Sequence, residues 1–312
     1  MRREIYTISN SPDLNDNTVS TAIKSISLSS TYYFEYLEVF MNPDQASKTV
    51  QPSLFLSHGS PDLILSDAPA KHFYQQLATQ LARPDAIIVA SAHWETPAPI
   101  IGITASPEPE TIHDFYGFPD ALYRMIHPAP GAPELADRVQ KQLQKWDFDA
   151  RLHETRGIDH GAWSPLKLIY PEADIPVIQI SLPRGVTSST YWQIGQALQA
   201  FRRENILIIG SGAATHNLSY FNRRRQPGQT VLTEAQGFID WLNQAVTSGD
   251  KDALLSYDKV PYGLENHPTP EHFVPLLVAA GASSGNQKPN RGEVIHDSFE
   301  YGFLSMACYR WE

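Results

Sequence analysis

The sequence predicts a three-layer α/β/α single domain around a mixed, largely parallel central sheet. Short apolar runs rich in Ile, Leu and Val, bounded by Gly, Pro or polar residues, recur along the chain. Such near-continuous runs are strands buried on both faces. Stretches with helical periodicity alternate with them, which is the pattern of βαβ units. The 312 residues are 42% hydrophobic and 11% aromatic, enough to bury a sizeable core.

In chain order, residues 1–50 stand apart. Positions 1–31 are rich in Ser, Thr, Asn and Asp without periodicity, and 32–40 is an aromatic stretch suited to a short docked helix. The expectation is a poorly ordered N-terminal extension over 1–50, of which 1–40 is dispensable for chemistry, and a catalytic domain over 51–312. Residues 53–57 form the first strand and feed His58 and Gly59. A helical stretch follows, capped by Asp67, with Phe73, Leu77 and Leu81 four apart, and closed by Arg83-Pro84. Residues 86–90 are the second strand, delivering His93, and 100–105 the third; 133–145 is a helix. Residues 176–182 and 205–210 are core strands joined through a helix over 191–203, a βαβ crossover. Helices are expected over 233–246 and 271–280, and a terminal strand pair over 294–311 with Gly302 inside it.

Composition narrows the function classes. A formal charge of −10 gives no electrostatic basis for binding nucleic acid or anionic lipid. The single cysteine, Cys308, excludes an intrachain disulfide framework and fits a reducing, cytoplasmic compartment. Arg2 and Arg3 are not followed by an apolar signal core, and no apolar run approaches the roughly 18 residues that span a bilayer.

The histidines are the chemical signal. Six of eleven, His58, His93, His113, His160, His216 and His272, fall in short segments dense in Gly, Pro and polar residues. His58 and His93 follow the first two strands, and His216 lies just beyond the strand ending near Gly210. That is the carboxyl edge of the sheet, where open α/β folds bind ligands. His272 sits near the start of a helix and can face the same edge. Neutral imidazoles suit Zn, Fe, Ni and Cu, and three of them leave coordination positions open.

Other features read more plainly. His72, His127, His153 and His296 are surface or structural, His267 is undecided, and Trp94 and Trp163 are core anchors. Gly210-Ser211-Gly212 lacks the spacing and Lys of a phosphate loop and reads as a tight turn. Ser57 and Ser60 flank His58, but no Gly-x-Ser-x-Gly elbow makes either a nucleophile.

Six linked motifs carry a family resemblance. They are Phe55-Leu56-Ser57-His58-Gly59-Ser60-Pro61, Ser91-Ala92-His93-Trp94, and Thr111-Ile112-His113-Asp114-Phe115 with Gly117-Phe118-Pro119. They continue with Asp159-His160-Gly161-Ala162-Trp163, His216-Asn217-Leu218, and Pro268-Thr269-Pro270-Glu271-His272-Phe273. Over roughly residues 52–312 the chain resembles the class III (LigB-type) extradiol aromatic ring-opening dioxygenases, in their DOPA-dioxygenase branch. The resemblance implies a mononuclear Fe(II) site, in which Zn(II) can stand as purified, acting on a catechol with O2. The implied substrate is L-DOPA, opened to 4,5-seco-DOPA or 2,3-seco-DOPA and leading to betalamic acid or muscaflavin. His58 and His93 correspond to constant metal ligands. His272 falls where the wider superfamily has a carboxylate ligand, so either His272 or neighbouring Glu271 completes the set. His272 is favoured because helical neighbours point about 100° apart. His216 corresponds to a base near enough the metal to be a fourth ligand, His160 to a proton donor oriented by Asp159, and His113 to a substrate contact. Arg184 and Tyr116 are weaker candidates for holding the substrate's tail.

Two other classes use the same residues. A zinc-dependent hydrolase would activate a water between the histidines, although no His-Glu-x-x-His helix is present. A non-catalytic metal-binding homologue on the same fold is the other.

Overall fold

The computed structural model describes residues 49–220, 230–285 and 290–312. The extension expected over 1–50 lies outside the described residues except for Thr49 and Val50. In chain order the strands are β1 (Ser53–Ser57), β2 (Ala86–Pro97), β3 (Ile100–Thr104), β4 (Asp149–His153), β5 (Val177–Arg184), β6 (Ile206–Gly212), β7 (Glu293–His296), β8 (Phe299–Glu300), β9 (Leu304–Ser305) and β10 (Cys308–Trp311). Eight of them make one sheet in the order β4-β3-β5-β2-β6-β1-β10-β7, and β8 pairs with β9 separately. The centre is parallel: β2 pairs with β5 and β6, and β1 with β6. The mixed character comes from β10, antiparallel to β1 and β7, and from β3, antiparallel to β5.

Side-chain alternation sets the layers. Leu54 and Leu56 of β1, Ile87 and Val89 of β2, and Leu207 and Ile209 of β6 enter one core. Their neighbours Phe55, Ile88 and Ile208 enter the other. Each such side chain contributes about 1.5–3 kcal/mol on burial, so a one-residue slip would exchange the two cores and register is fixed. Helices Pro69–Leu77 and His160–Ile169 cover the first face; Pro133–Gln144, Ser188–Arg202, Thr233–Ser248 and Val274–Ala282 supply the second. The three-layer expectation holds.

Three local differences bear on the site. The second strand does not stop at residue 90 but runs to Pro97, so His93 lies inside it. Gly210-Ser211-Gly212 is not a tight turn: it is the end of β6, with Ser211 opposite Leu56 and Gly212 opposite Ser57. The helix expected from residue 271 begins at Val274 instead, leaving Glu271 and His272 in the turn before it.

Candidate metal centre

Backbone pairing brings the histidines together. The His58 amide donates to the Gly212 carbonyl at 2.9 Å, extending the β1–β6 ladder by one bond. The β2–β5 register shifts between Ala90 and Glu95. A bulge of this kind re-aims the side chains within it, and His93 is one of them. The Ala213 amide donates to the His272 carbonyl at 3.0 Å. That contact requires glycine at 212, because a Cβ there would stand 2.1 Å from the same carbonyl oxygen. Gly161 is small for a similar reason: its Cβ would meet Ser91 Oγ at 2.5 Å and the His93 ring at 3.0 Å.

The hydrogen bonds fix each ring's tautomer. Ser211 Oγ spends its one proton on the Gly161 carbonyl. It must therefore accept from His58 Nδ1, 2.9 Å away. The Gly161 carbonyl is free for this because its ordinary helical donor would be residue 165, which is a proline. His93 Nδ1 faces Asp114 Oδ2 at 3.3 Å, and His272 Nδ1 is 3.1 Å from Glu271 Oε1. Carboxylates accept only, so His272 carries its proton on Nδ1, and the carboxylate beside His93 Nδ1 favours the same tautomer there. All three imidazoles are left with an Nε2 lone pair, the arrangement in which an outer partner orients a metal-ligating histidine. His58 Nε2 and His93 Nε2 stand 3.0 Å apart. Two nitrogens bonded to one ion at about 2.1 Å lie within about 4 Å of each other, and a donor atom from each of His58, His93 and His272 falls within 4.8 Å of the others. The donor set fits a divalent cation.

Burial, reinforced by the neighbouring imidazoles, holds His58 and His272 well below the ordinary histidine range. Burial and His160 lower His93 to about 3. The rings are neutral at pH 7, as ligation requires. His216 is likewise lowered to about 4 by burial.

These groups line a cavity of about 650 Å³. His160 opens the His160–Ile169 helix, with its ring centroid 4.0 Å from that of His93. His216 stacks face to face on His272, centroids 3.4 Å apart and 10° from parallel. It groups with Glu271 and His272 rather than with His58 and His93. Phe115, Phe118 and Leu304 supply apolar walls, and Tyr116, 91% exposed, stands at the rim.

Several sequence-level placements change. Asp159 does not orient the His160 ring. It is buried between Ser91, Gln179 and Arg156, while Asp114 accepts from His160 Nδ1 at 2.9 Å and from its backbone amide at 3.0 Å. Glu271 is the partner of His272 Nδ1, so the helical-neighbour contrast between them does not apply. His113 Nε2 bonds the Met125 carbonyl at 2.9 Å, and His113 and Arg184 are not among the residues lining the cavity. His267 is buried behind the site with Nε2 on the Ala214 carbonyl, and His127 is buried too. Asp114 and Ser211 were not singled out by sequence. Asp114 lies within a quoted motif, whereas Ser211 carries no signal apart from its position before the Gly212 contact.

A three-layer α/β domain with ligand-ready imidazoles at the carboxyl edge of its sheet is the architecture of a metal-dependent enzyme. Residues 52–310 match the family described as the catalytic LigB subunit of aromatic ring-opening dioxygenase. The chain is 40% identical over 267 residues to a 4,5-DOPA dioxygenase extradiol of Beta vulgaris, covering 84% of this chain and 97% of that one. It is 38% identical over 265 residues to the 4,5-DOPA dioxygenase extradiol of Escherichia coli K12, covering 83% and 94%. A solved structure, an uncharacterized protein JW3007 from E. coli K12, superposes with a TM-score of 0.70 at 32% identity, covering 83% of this chain and 99% of that chain. The chain therefore belongs to the LigB family, in its DOPA-dioxygenase branch. It is a metal-dependent extradiol dioxygenase that opens a catechol ring with O2, and the hydrolase and non-catalytic readings are not favoured. Among the described residues no helix is long and apolar enough to cross a membrane.

Proposed function

We propose that this dioxygenase uses Fe(II) held by His58, His93 and His272 to open L-DOPA, or a catechol close to it, at the 4,5 bond. The observation that carries the reading is that a donor atom from each of His58, His93 and His272 falls within 4.8 Å of the others, in a cavity lined by two further imidazoles. The relatives named for 4,5-DOPA support the substrate. Zn(II) competes for the same donors, since divalent affinities rank it above iron. Iron bound there would supply a centre for holding the catechol and the redox chemistry that activates O2.

The chain's own residues do the rest. His216, neutral because it is buried, accepts the proton of a catechol hydroxyl. His160, its Nδ1–H on Asp114, has Nε2 left to deliver a proton as the ring opens. Phe115, Phe118 and Leu304 flank the aromatic ring and exclude water. The buried free thiol of Cys308 supports a cytoplasmic setting, and we assign catalysis to residues 51–312.

The test is anaerobic loading with Fe(II), then L-DOPA and air, read by an oxygen electrode and by NMR of the product. One O2 consumed per L-DOPA and a 4,5-opened product are expected. Uptake with other catechols but none with L-DOPA would overturn the substrate. His216→Ala and His160→Ala should each lower kcat by about 10²–10⁴-fold while iron is retained. Full turnover by His216→Ala would remove it as the base.

A further inference from the structure

Among the described residues lining the cavity Asp114 is the one carboxylate, and its two oxygens serve different histidines. Oδ1 accepts from His160 Nδ1 and from the His160 amide. Oδ2 faces His93 Nδ1. The carboxylate is held in place from behind. Thr111 bridges to Ile158, the Ile112 amide donates to the Ile158 carbonyl at 2.9 Å, and Trp163 Nε1 donates to the Ile112 carbonyl at 2.8 Å. The segment carrying Asp114 is thus zipped to the segment that leads into His160. We propose that Asp114 is a positioning residue shared by the metal ligand His93 and the proton donor His160, so that one carboxylate sets metal affinity and proton delivery together.

The chemistry requires the same anion twice. Beside Oδ2, the proton of His93 stays on Nδ1 and the Nε2 lone pair remains available to a cation. Beside Oδ1, His160 keeps its proton on Nδ1, which fixes the ring's orientation and leaves Nε2 as the nitrogen that exchanges a proton with the substrate. Asp159 bonds neither ring: its side-chain partners are Ser91, Gln179 and Arg156.

The inference rests on His93 as ligand and His160 as donor, and the experiment separates its failure from theirs. Co(II) is titrated into metal-free protein by visible absorption, and kcat and KM for L-DOPA are measured at saturating Fe(II). Asp114→Asn should weaken Co(II) binding by about 10–100-fold. It should also lower kcat at least about tenfold, short of the loss from removing His160, with KM little changed. In a His160→Gln background, Asp114→Asn should weaken Co(II) equally but cost no further kcat, because the two then act through one step. Asp159→Asn should leave Co(II) affinity intact. If His93→Ala abolishes Co(II) binding while Asp114→Asn leaves it unchanged, the inference is overturned. It is also overturned if the kcat losses of Asp114→Asn and His160→Gln multiply. If His93→Ala itself binds Co(II) normally, the ligand assignment fails instead. Should Asp114→Asn lose its cooperative melting transition, Asp114→Glu is read in the same assays. Loss of both Co(II) affinity and kcat then supports the shared role, and wild-type values in either overturn it.

Discussion

His58 and His267 are both buried, both near neutral-ring extremes of basicity, and differ in everything that makes a site. Burial lowers His58 well below the ordinary range and His267 to about 3. His267 gives Nε2 to the Ala214 carbonyl and packs among Phe238, Tyr257 and Phe273, with Nδ1 unpartnered among the described residues. His58 ties down only Nδ1, through Ser211, and turns Nε2 toward His93 and the cavity. Desolvation alone therefore does not mark a metal centre. What marks it is a second nitrogen left free and aimed where other free nitrogens converge.

The sharpest way to break this contrast is to delete each ring. His58→Ala and His93→Ala should weaken Fe(II) or Co(II) binding by more than the about 10–100-fold typical of outer-partner changes and abolish turnover. The metal-free proteins should melt near the wild-type temperature, because deletion also relieves the crowding of neighbouring imidazoles in a buried site. His267→Ala should do the reverse. It should cost about 1–3 kcal/mol in urea denaturation, from a lost hydrogen bond and an opened core, with metal affinity within a few-fold of wild type. Loss of metal by His267→Ala at unchanged stability would erase the distinction.

Much of the contrast was legible in the sequence, and the rest was hidden for physical reasons. The strands over 53–57, 176–182 and 205–210 were visible as apolar runs, and the placement of His58, His93, His216 and His272 near one sheet edge followed from them. Periodicity did not reveal the His160–Ile169 helix, which has Gly161 in its first turn and contains Pro165, both poor helix signals. Yet those residues are what the site needs: Gly161 admits His93, and Pro165 leaves a carbonyl for Ser211. β4 escaped because Asp149, Arg151 and His153 give it a polar alternation suited to an edge strand. The bulge at His93 is a property of pairing with β5, which local sequence does not encode. Asp114 and Asp159 are equally acidic in sequence, and only the fold decides which one reaches His160.

The smallest expected effect tests whether burial elsewhere produces stability effects without chemistry. Glu300 in β8 is raised to about 7 by desolvation and by the nearby Asp62. A carboxyl with a raised folded value stabilises the fold fully below its unfolded value of about 4.5 and loses that contribution as pH climbs through about 7, by at most on the order of 3 kcal/mol. The buried histidines run the other way. His127 at about 4 and His267 at about 3, both lowered first by burial, contribute stability above about 6.5 that is lost as pH falls below it. Between pH 5 and 7 the Glu300 slope opposes that of the buried histidines, but His58, His93, His216 and His272 add to His127 and His267, so the melting temperature of the metal-free wild type should still rise with pH. Glu300→Gln removes the opposing slope. Its melting temperature should rise more steeply than that of wild type over that interval and exceed it most at the alkaline end, while turnover at saturating Fe(II) stays unchanged. Parallel pH curves for the two proteins would mean that Glu300 is solvated and titrates normally. A loss of turnover would mean that the β8–β9 hairpin, which brings Leu304 to the cavity wall, couples to the metal centre after all.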